Sequence, residues 1–203
     1  TQWRARRSST AVAYLRPALG RSNLTVITHA QVRRVLIEGD RAVGVEFTRR
    51  GQIRQVRAVR EVLLCGGSVA TPQLLMCSGI GPARELEAFG IPVRVAAAGV
   101  GANLQDHLDY CVLQKSRSNN TYDFGALREA FEGLRYWLTG NGPGASNIAE
   151  SGGFLRSARA PDGRADLQFH FVPAQLDDHG RNRLPGHGYT LHACVLRPRS
   201  RGH

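Results

Sequence analysis

Few residues of this 203-residue chain are spaced for chemistry of their own. Asp106-His107 offers a carboxylate beside an imidazole, the two groups of an acid–base dyad. Adjacent residues on an extended segment point to opposite faces, however, so the pair reads as a structural turn. His170, His179, His187 and His192 could supply imidazoles to a metal. His170 and His192 fall in strand-like runs and the other two in a Gly-rich loop, without the H-E-x-x-H spacing of a helical zinc site, so satisfied or exposed histidines are expected. Cys65, Cys77, Cys111 and Cys194 form no C-x-x-C pair, and three of them sit in apolar contexts, which predicts buried free thiols in a reducing compartment. There remains Gly66-Gly67 at the exit of the apolar run 61–65, where missing side chains let the backbone turn sharply or come close to a ligand.

The elements that would position this turn are legible. Residues 61–65 read as a short strand. Thr71 is expected to cap a helix whose first residue is Pro72, with Leu74, Leu75 and Met76 on its buried side and Gly79 ending it in a left-handed conformation. Upstream, residues 8–15 suggest a short amphipathic helix stopped at Arg16-Pro17. Strands are expected over 24–28, 31–37, 41–47 and 52–58, with turns at Glu38-Gly39-Asp40 and Arg50-Gly51 and a β-branched surface from Val26, Val32, Val43 and Val45. A second helix, 83–89, ends at Gly90. From about Leu108 the texture changes: residues 126–138 carry Leu127, Phe131, Leu134 and Trp137 or Leu138 at helical spacing, expected to face a core, before a Gly-rich break. Runs 151–156, 167–172 and 189–196 are strand-like. The fold class expected is mixed α+β and α/β.

The chain is long enough to bury a core, and no apolar run reaches the roughly 20 residues that span a bilayer. Net charge is +11, with thirteen Arg before position 61 against only Glu38, Asp40 and Glu46. Such a bias invites a nucleic-acid reading. Yet Lys115 is the only lysine, and no helix-turn-helix, zinc-finger or stacking-aromatic pattern goes with the charge, so a solvated basic face is favoured. A basic nucleic-acid- or partner-binding module without a catalytic role is the alternative reading.

The block Gly66-Gly67-Ser68-Val69-Ala70-Thr71-Pro72-Gln73-Leu74-Leu75-Met76-Cys77-Ser78-Gly79-Ile80-Gly81 resembles the second signature of the glucose-methanol-choline (GMC) oxidoreductases. Four further stretches fit in family order: residues 8–47, Gly99-Val100-Gly101-Ala102-Asn103-Leu104-Gln105-Asp106-His107, Glu150-Ser151-Gly152-Gly153-Phe154 and Arg197-Pro198-Arg199-Ser200-Arg201-Gly202. The resemblance implies an FAD-dependent oxidoreductase acting on CH–OH groups and turning a primary alcohol into an aldehyde. Residues 167–189 look similar to bacterial acceptor-linked alcohol dehydrogenases, with choline dehydrogenases somewhat further off. It further implies residues 1–107 as part of a Rossmann-like FAD-binding portion and 108–203 as an incomplete antiparallel-sheet substrate domain. Gly66 and Gly67 then lie near the ADP part of the cofactor, the Val32 backbone near the adenine, and Asn103 near the cofactor where the chain leaves the flavin domain. Glu150 corresponds to a carboxylate that in choline-oxidising relatives faces the substrate's trimethylammonium group; a hydrogen-bonded strand glutamate is the alternative use of the same residue. No metal is implied. The family's opening pyrophosphate loop is not in the chain and its catalytic His is expected beyond His203, so the chain reads as an internal fragment, inactive alone. A quinone or dye-like acceptor is expected over oxygen, in a bacterial cytoplasm or at the inner-membrane surface, with no transmembrane segment.

Overall fold

The computed structural model, which describes residues 2–160 and 162–203, divides into two compact units that are not contiguous halves. Residues 2–24 belong with 106–198, and 25–105 with 199–203. This grouping differs from a single division at 107 at both ends of the chain. Hydrogen bonds explain the exchange: the Tyr136 hydroxyl donates to the Ala5 carbonyl at 2.8 Å and Gln2 to that of Ala145 at 3.1 Å. At the other end, Leu104 and Gly202 exchange backbone bonds of 2.8 and 2.9 Å.

In chain order, β1 (Gln2–Trp3) and β2 (Arg6–Arg7) form a minimal hairpin. A π-helical turn over Ala11–Leu15 runs into α1 (Arg16–Ala18). The expected stop at Arg16-Pro17 does not occur, because Pro17 sits in the first turn of α1, where its missing N–H is not needed. Residues 24–28 join no sheet.

The meander follows expectation to within two residues: β3 (Gln31–Glu38), β4 (Arg41–Arg49) and β5 (Gln52–Arg57) pair antiparallel in that order. Gly39 (φ 55°) and Gly51 (φ 75°) supply the left-handed residues that the two turns require. Val35 and Phe47 are buried beneath the sheet. Glu46, also buried, accepts from Arg34 at 3.0 Å and Gln55 at 3.2 Å, so part of the Arg excess neutralises this unit's own carboxylates. Arg57 pairs likewise with Glu38 at 2.7 Å. Residues 61–65 form no ladder, contrary to expectation; a strand needs a neighbour to take its N–H and C=O groups, and none pairs with them among the described residues. Next come α2 (Gly67–Cys77), β6 (Ile80–Gly81), α3 (Ala83–Ala88) and β7 (Val95–Ala96), with β6 and β7 parallel and Leu86 almost fully buried.

The other unit is built on β8 (Asp109–Lys115), β9 (Ser151–Leu155), β10 (Leu167–Val172) and β13 (Gly188–Val195), all antiparallel in the order β8-β13-β10-β9. Between β8 and β9 lies α4 (Ala126–Thr139), ended by Gly140 at φ 70°. Between β10 and β13 a hairpin of β11 (Leu176–Asp177) and β12 (Asn182–Arg183) is pinned by Thr190, whose hydroxyl donates to the Ala174 carbonyl at 2.8 Å and accepts from Leu176 N–H at 2.9 Å. The apolar stripe of α4 does not reach a core as its periodicity suggested: Leu127, Phe131, Leu134, Trp137 and Leu138 are all exposed. No helix of the described residues is long and apolar enough to cross a membrane.

Asp162 accepts from Arg164 and from Arg197 (2.8 Å), and the Arg164 hydrogen bond above all holds its carboxyl down at about 2. A carboxyl depressed in the folded state stabilises above its unfolded value and loses that contribution as pH falls toward the folded one. Asp162→Asn is therefore expected to flatten the drop in urea midpoint between about pH 4 and pH 2. Parallel curves for the two proteins through that window would contradict it.

Candidate cofactor and substrate sites

The meander unit holds its helix in place from the sheet. The Ser78 hydroxyl, at the end of α2, accepts from Val35 N–H at 2.8 Å and donates to the Leu74 carbonyl at 2.6 Å, which fastens β3 to α2. Between them opens a cavity of about 1080 Å³, lined among others by Val32, Arg33, Glu46, Leu64, Gly66 and Ile91. Its size suits a drug- or nucleotide-sized ligand.

Gly66 is the N-cap of α2, and no side chain caps that first turn. Thr71 was expected to cap a helix starting at Pro72; α2 instead begins at Gly67, with Pro72 inside it, and the Thr71 hydroxyl reaches back to accept from Gly66 N–H at 3.0 Å. One residue therefore ties off the Gly turn from within the helix rather than from before it. Gly67 has φ 83°, a conformation that favours glycine, and a Cβ on Gly66 would lie 3.2 Å from both Thr71 N and Oγ1. Gly79, at φ 84°, follows the helix as expected.

Asn103, left-handed at φ 65°, lines a separate cavity of about 360 Å³ with Ser68, Pro72, Leu75 and Gly101. Thus Val32 and Gly66 share one cavity, Asn103 lies in another, and the N-terminal half of α2 contributes to both. Cys65 and Cys77, expected to be buried, are exposed and line the larger cavity; Cys194 is buried and Cys111 half-buried.

In the other unit, Glu150 stands just before β9. Its N–H donates to the Phe171 carbonyl at 3.1 Å, and the Tyr122 hydroxyl donates to its Oε1. Burial, then the Glu150 hydrogen bond, pushes the Tyr122 hydroxyl up, so it stays a donor. The carboxylate is otherwise exposed. Asp106-His107 makes no dyad: Asp106 Oδ1 accepts from the His107 backbone N–H at 2.9 Å, and both residues are exposed. His187 Nδ1 is satisfied by Thr121 Oγ1 at 2.7 Å. The side chain of His179 lies outside the described residues.

Residues 1–109 match the GMC oxidoreductase family. The chain belongs to that family. It is 44% identical to an alcohol dehydrogenase [acceptor] of Pseudomonas putida, over 100% of this chain and 37% of that protein. It is 41% identical to an oxygen-dependent choline dehydrogenase of Burkholderia ambifaria, over 98% of this chain and 35% of that one. Among solved structures it superposes on a pyridoxine 4-oxidase from Mesorbium loti with a TM-score of 0.76 at 29% identity, covering 98% of this chain and 35% of that one. A formate oxidase of Aspergillus oryzae RIB40, from work on FAD modification, gives a TM-score of 0.84 at 26% identity, covering 98% and 39%. The chain thus spans little more than a third of the length of these GMC relatives.

Proposed function

We propose that this chain is part of an FAD-dependent GMC dehydrogenase that oxidises a primary alcohol to an aldehyde and passes the electrons to a quinone- or dye-like acceptor, in a bacterial cytoplasm or at the inner-membrane surface. The observation that carries the reading is the convergence of Val32 and Gly66 on one 1080 Å³ cavity at the uncapped N-terminus of α2. Free N–H groups at a helix N-terminus, a Gly that admits close approach and an apolar wall from Leu64 and Ile91 suit the ADP part of a dinucleotide. The bound flavin would accept the hydride. Residues 25–105 would carry the cofactor side and the four-stranded sheet the substrate side, with Glu150 facing the alcohol and Asn103 near the cofactor.

The test uses the full-length parent, purified and assayed with a dye acceptor. A flavin spectrum and dye reduction with primary alcohols are expected, while the 203-residue chain alone with added FAD shows no turnover. Gly66→Ala is expected to lower flavin occupancy roughly fivefold, about 1 kcal/mol, with an unchanged far-ultraviolet circular dichroism spectrum. A parent without flavin would overturn the reading, and a variant with full flavin would remove Gly66 from the site.

A further inference from the structure

We propose that Asp109, Cys111 and His192 form a binding site for a thiophilic divalent metal ion, Zn²⁺ being the natural probe. Strands β8 and β13 create it: Cys111 lies directly opposite His192, and Asp109, two residues before Cys111, shares its face. His192 Nδ1 lies 2.9 Å from Asp109 Oδ2 and 3.2 Å from Cys111 Sγ, which is 3.7 Å from the same carboxylate. All three side chains are half-buried and their donor atoms fall within 4.8 Å of one another.

Bond lengths of about 2.3 Å to sulfur and about 2.0–2.2 Å to nitrogen and oxygen, at tetrahedral angles, place ligand atoms roughly 3.4–3.6 Å apart. The three atoms need shifts of only about half an ångström to meet that requirement. Thiolate, imidazole and carboxylate together suit zinc better than calcium or magnesium, which take oxygen ligands. His170 on β10 stands in register opposite His192, on the same face of the sheet. The row His170, His192, Cys111 thus crosses three adjacent strands.

Two rival uses of the same groups fit less well. A Cys–His–Asp nucleophile uses both ring nitrogens, one for the thiol and one for the carboxylate. Here a single Nδ1 faces both partners. A disulfide to Cys194 would have to span a diagonal, since Cys194 pairs with Asp109 and not with Cys111; residues in that relation are about 7–8 Å apart, while a disulfide holds its Cα atoms about 5.5–6 Å apart.

The inference is independent of the cofactor reading. The reduced 203-residue chain, titrated with Co²⁺, is expected to develop thiolate-to-metal charge-transfer and tetrahedral ligand-field bands that saturate at one ion per chain and are displaced by Zn²⁺. Cys111→Ser should abolish the charge-transfer band, and Asp109→Asn and His192→Gln should each weaken binding tenfold or more, in line with about 10–100-fold losses for disturbed metal ligation. Cys77→Ser, in the other unit, should leave the Co²⁺ spectrum unchanged. On the wild-type chain, Zn²⁺ should slow alkylation of Cys111 at least about tenfold, read by mass spectrometry, and leave Cys65 and Cys77 unprotected. No Co²⁺ spectrum, a charge-transfer band that survives Cys111→Ser, or equal protection of all exposed cysteines would each overturn the site.

Discussion

Gly152→Ala is expected to destabilise the four-stranded sheet by about 2–3 kcal/mol and to lower its melting temperature by roughly 5–10 °C, whereas Gly153→Ala leaves both nearly unchanged. The two neighbours differ in surroundings and not in chemistry. A Cβ at Gly152 would press on the Phe169 carbonyl oxygen, an atom of the adjacent β10 backbone that cannot swing aside as a side chain would. A Cβ at Gly153 meets nothing within 4 Å. To admit the methyl group, β9 must pull away from β10, which weakens the pairing of Ser151–Leu155 and the Glu150 N–H bond to Phe171. Differential scanning calorimetry of both variants decides the matter. Equal changes in the two variants would show that the close approach at Gly152 does not govern this strand.

In the full-length parent, Glu150→Gln is expected to raise KM for a quaternary-ammonium alcohol roughly thirtyfold, about 2 kcal/mol, and to change KM for an uncharged primary alcohol less than about twofold. The amide keeps the length of the side chain and an acceptor for the Tyr122 hydroxyl, so only the charge is lost. Because the carboxylate would meet a cation equally in the bound substrate and the transition state, its removal appears in KM while kcat holds. The substitution therefore separates the two kinds of relative: a large effect with any native substrate marks a cationic alcohol, and the proposed primary alcohol predicts the small one. Loss of flavin or of folding in the variant would instead make Glu150 a structural partner of Tyr122.

Local patterns carried the meander. Val32, Val43 and Val45 alternate between turns whose glycines admit positive φ, and β3, β4 and β5 follow that alternation closely. What failed depended on partners distant in sequence. Residues 61–65 have the composition of a buried strand, but a ladder is made by two segments, and none among the described residues pairs with this one. Thr71 has the chemistry of an N-cap and uses it, from inside the helix, on Gly66. β8 escaped notice because Tyr110, Cys111, Val112 and Leu113 place apolar groups on both faces and blur the period of two. Of the candidate sites, the Gly66 turn could be read from contiguous residues, whereas its sharing of a cavity with Val32 required the fold. The Asp109–Cys111–His192 cluster was hidden by the 81 positions between its thiol and its imidazole, which no spacing motif spans.

The exchange of chain ends between the two units has a consequence for synthesis. Residues 2–24 are made before the meander unit, yet their partners, from Asp106 onward, follow only after that whole unit. At roughly 5–20 residues per second that leaves this segment waiting on the order of several seconds for the groups that take its hydrogen bonds, among them the Ala145 carbonyl and the Tyr136 hydroxyl. The meander unit waits in turn for residues 199–203 to complete its bridge to Leu104. Neither unit is finished while the other is absent, so the nascent chain must hold one half-made domain open while it completes the next, a stage at which chaperone binding would protect it.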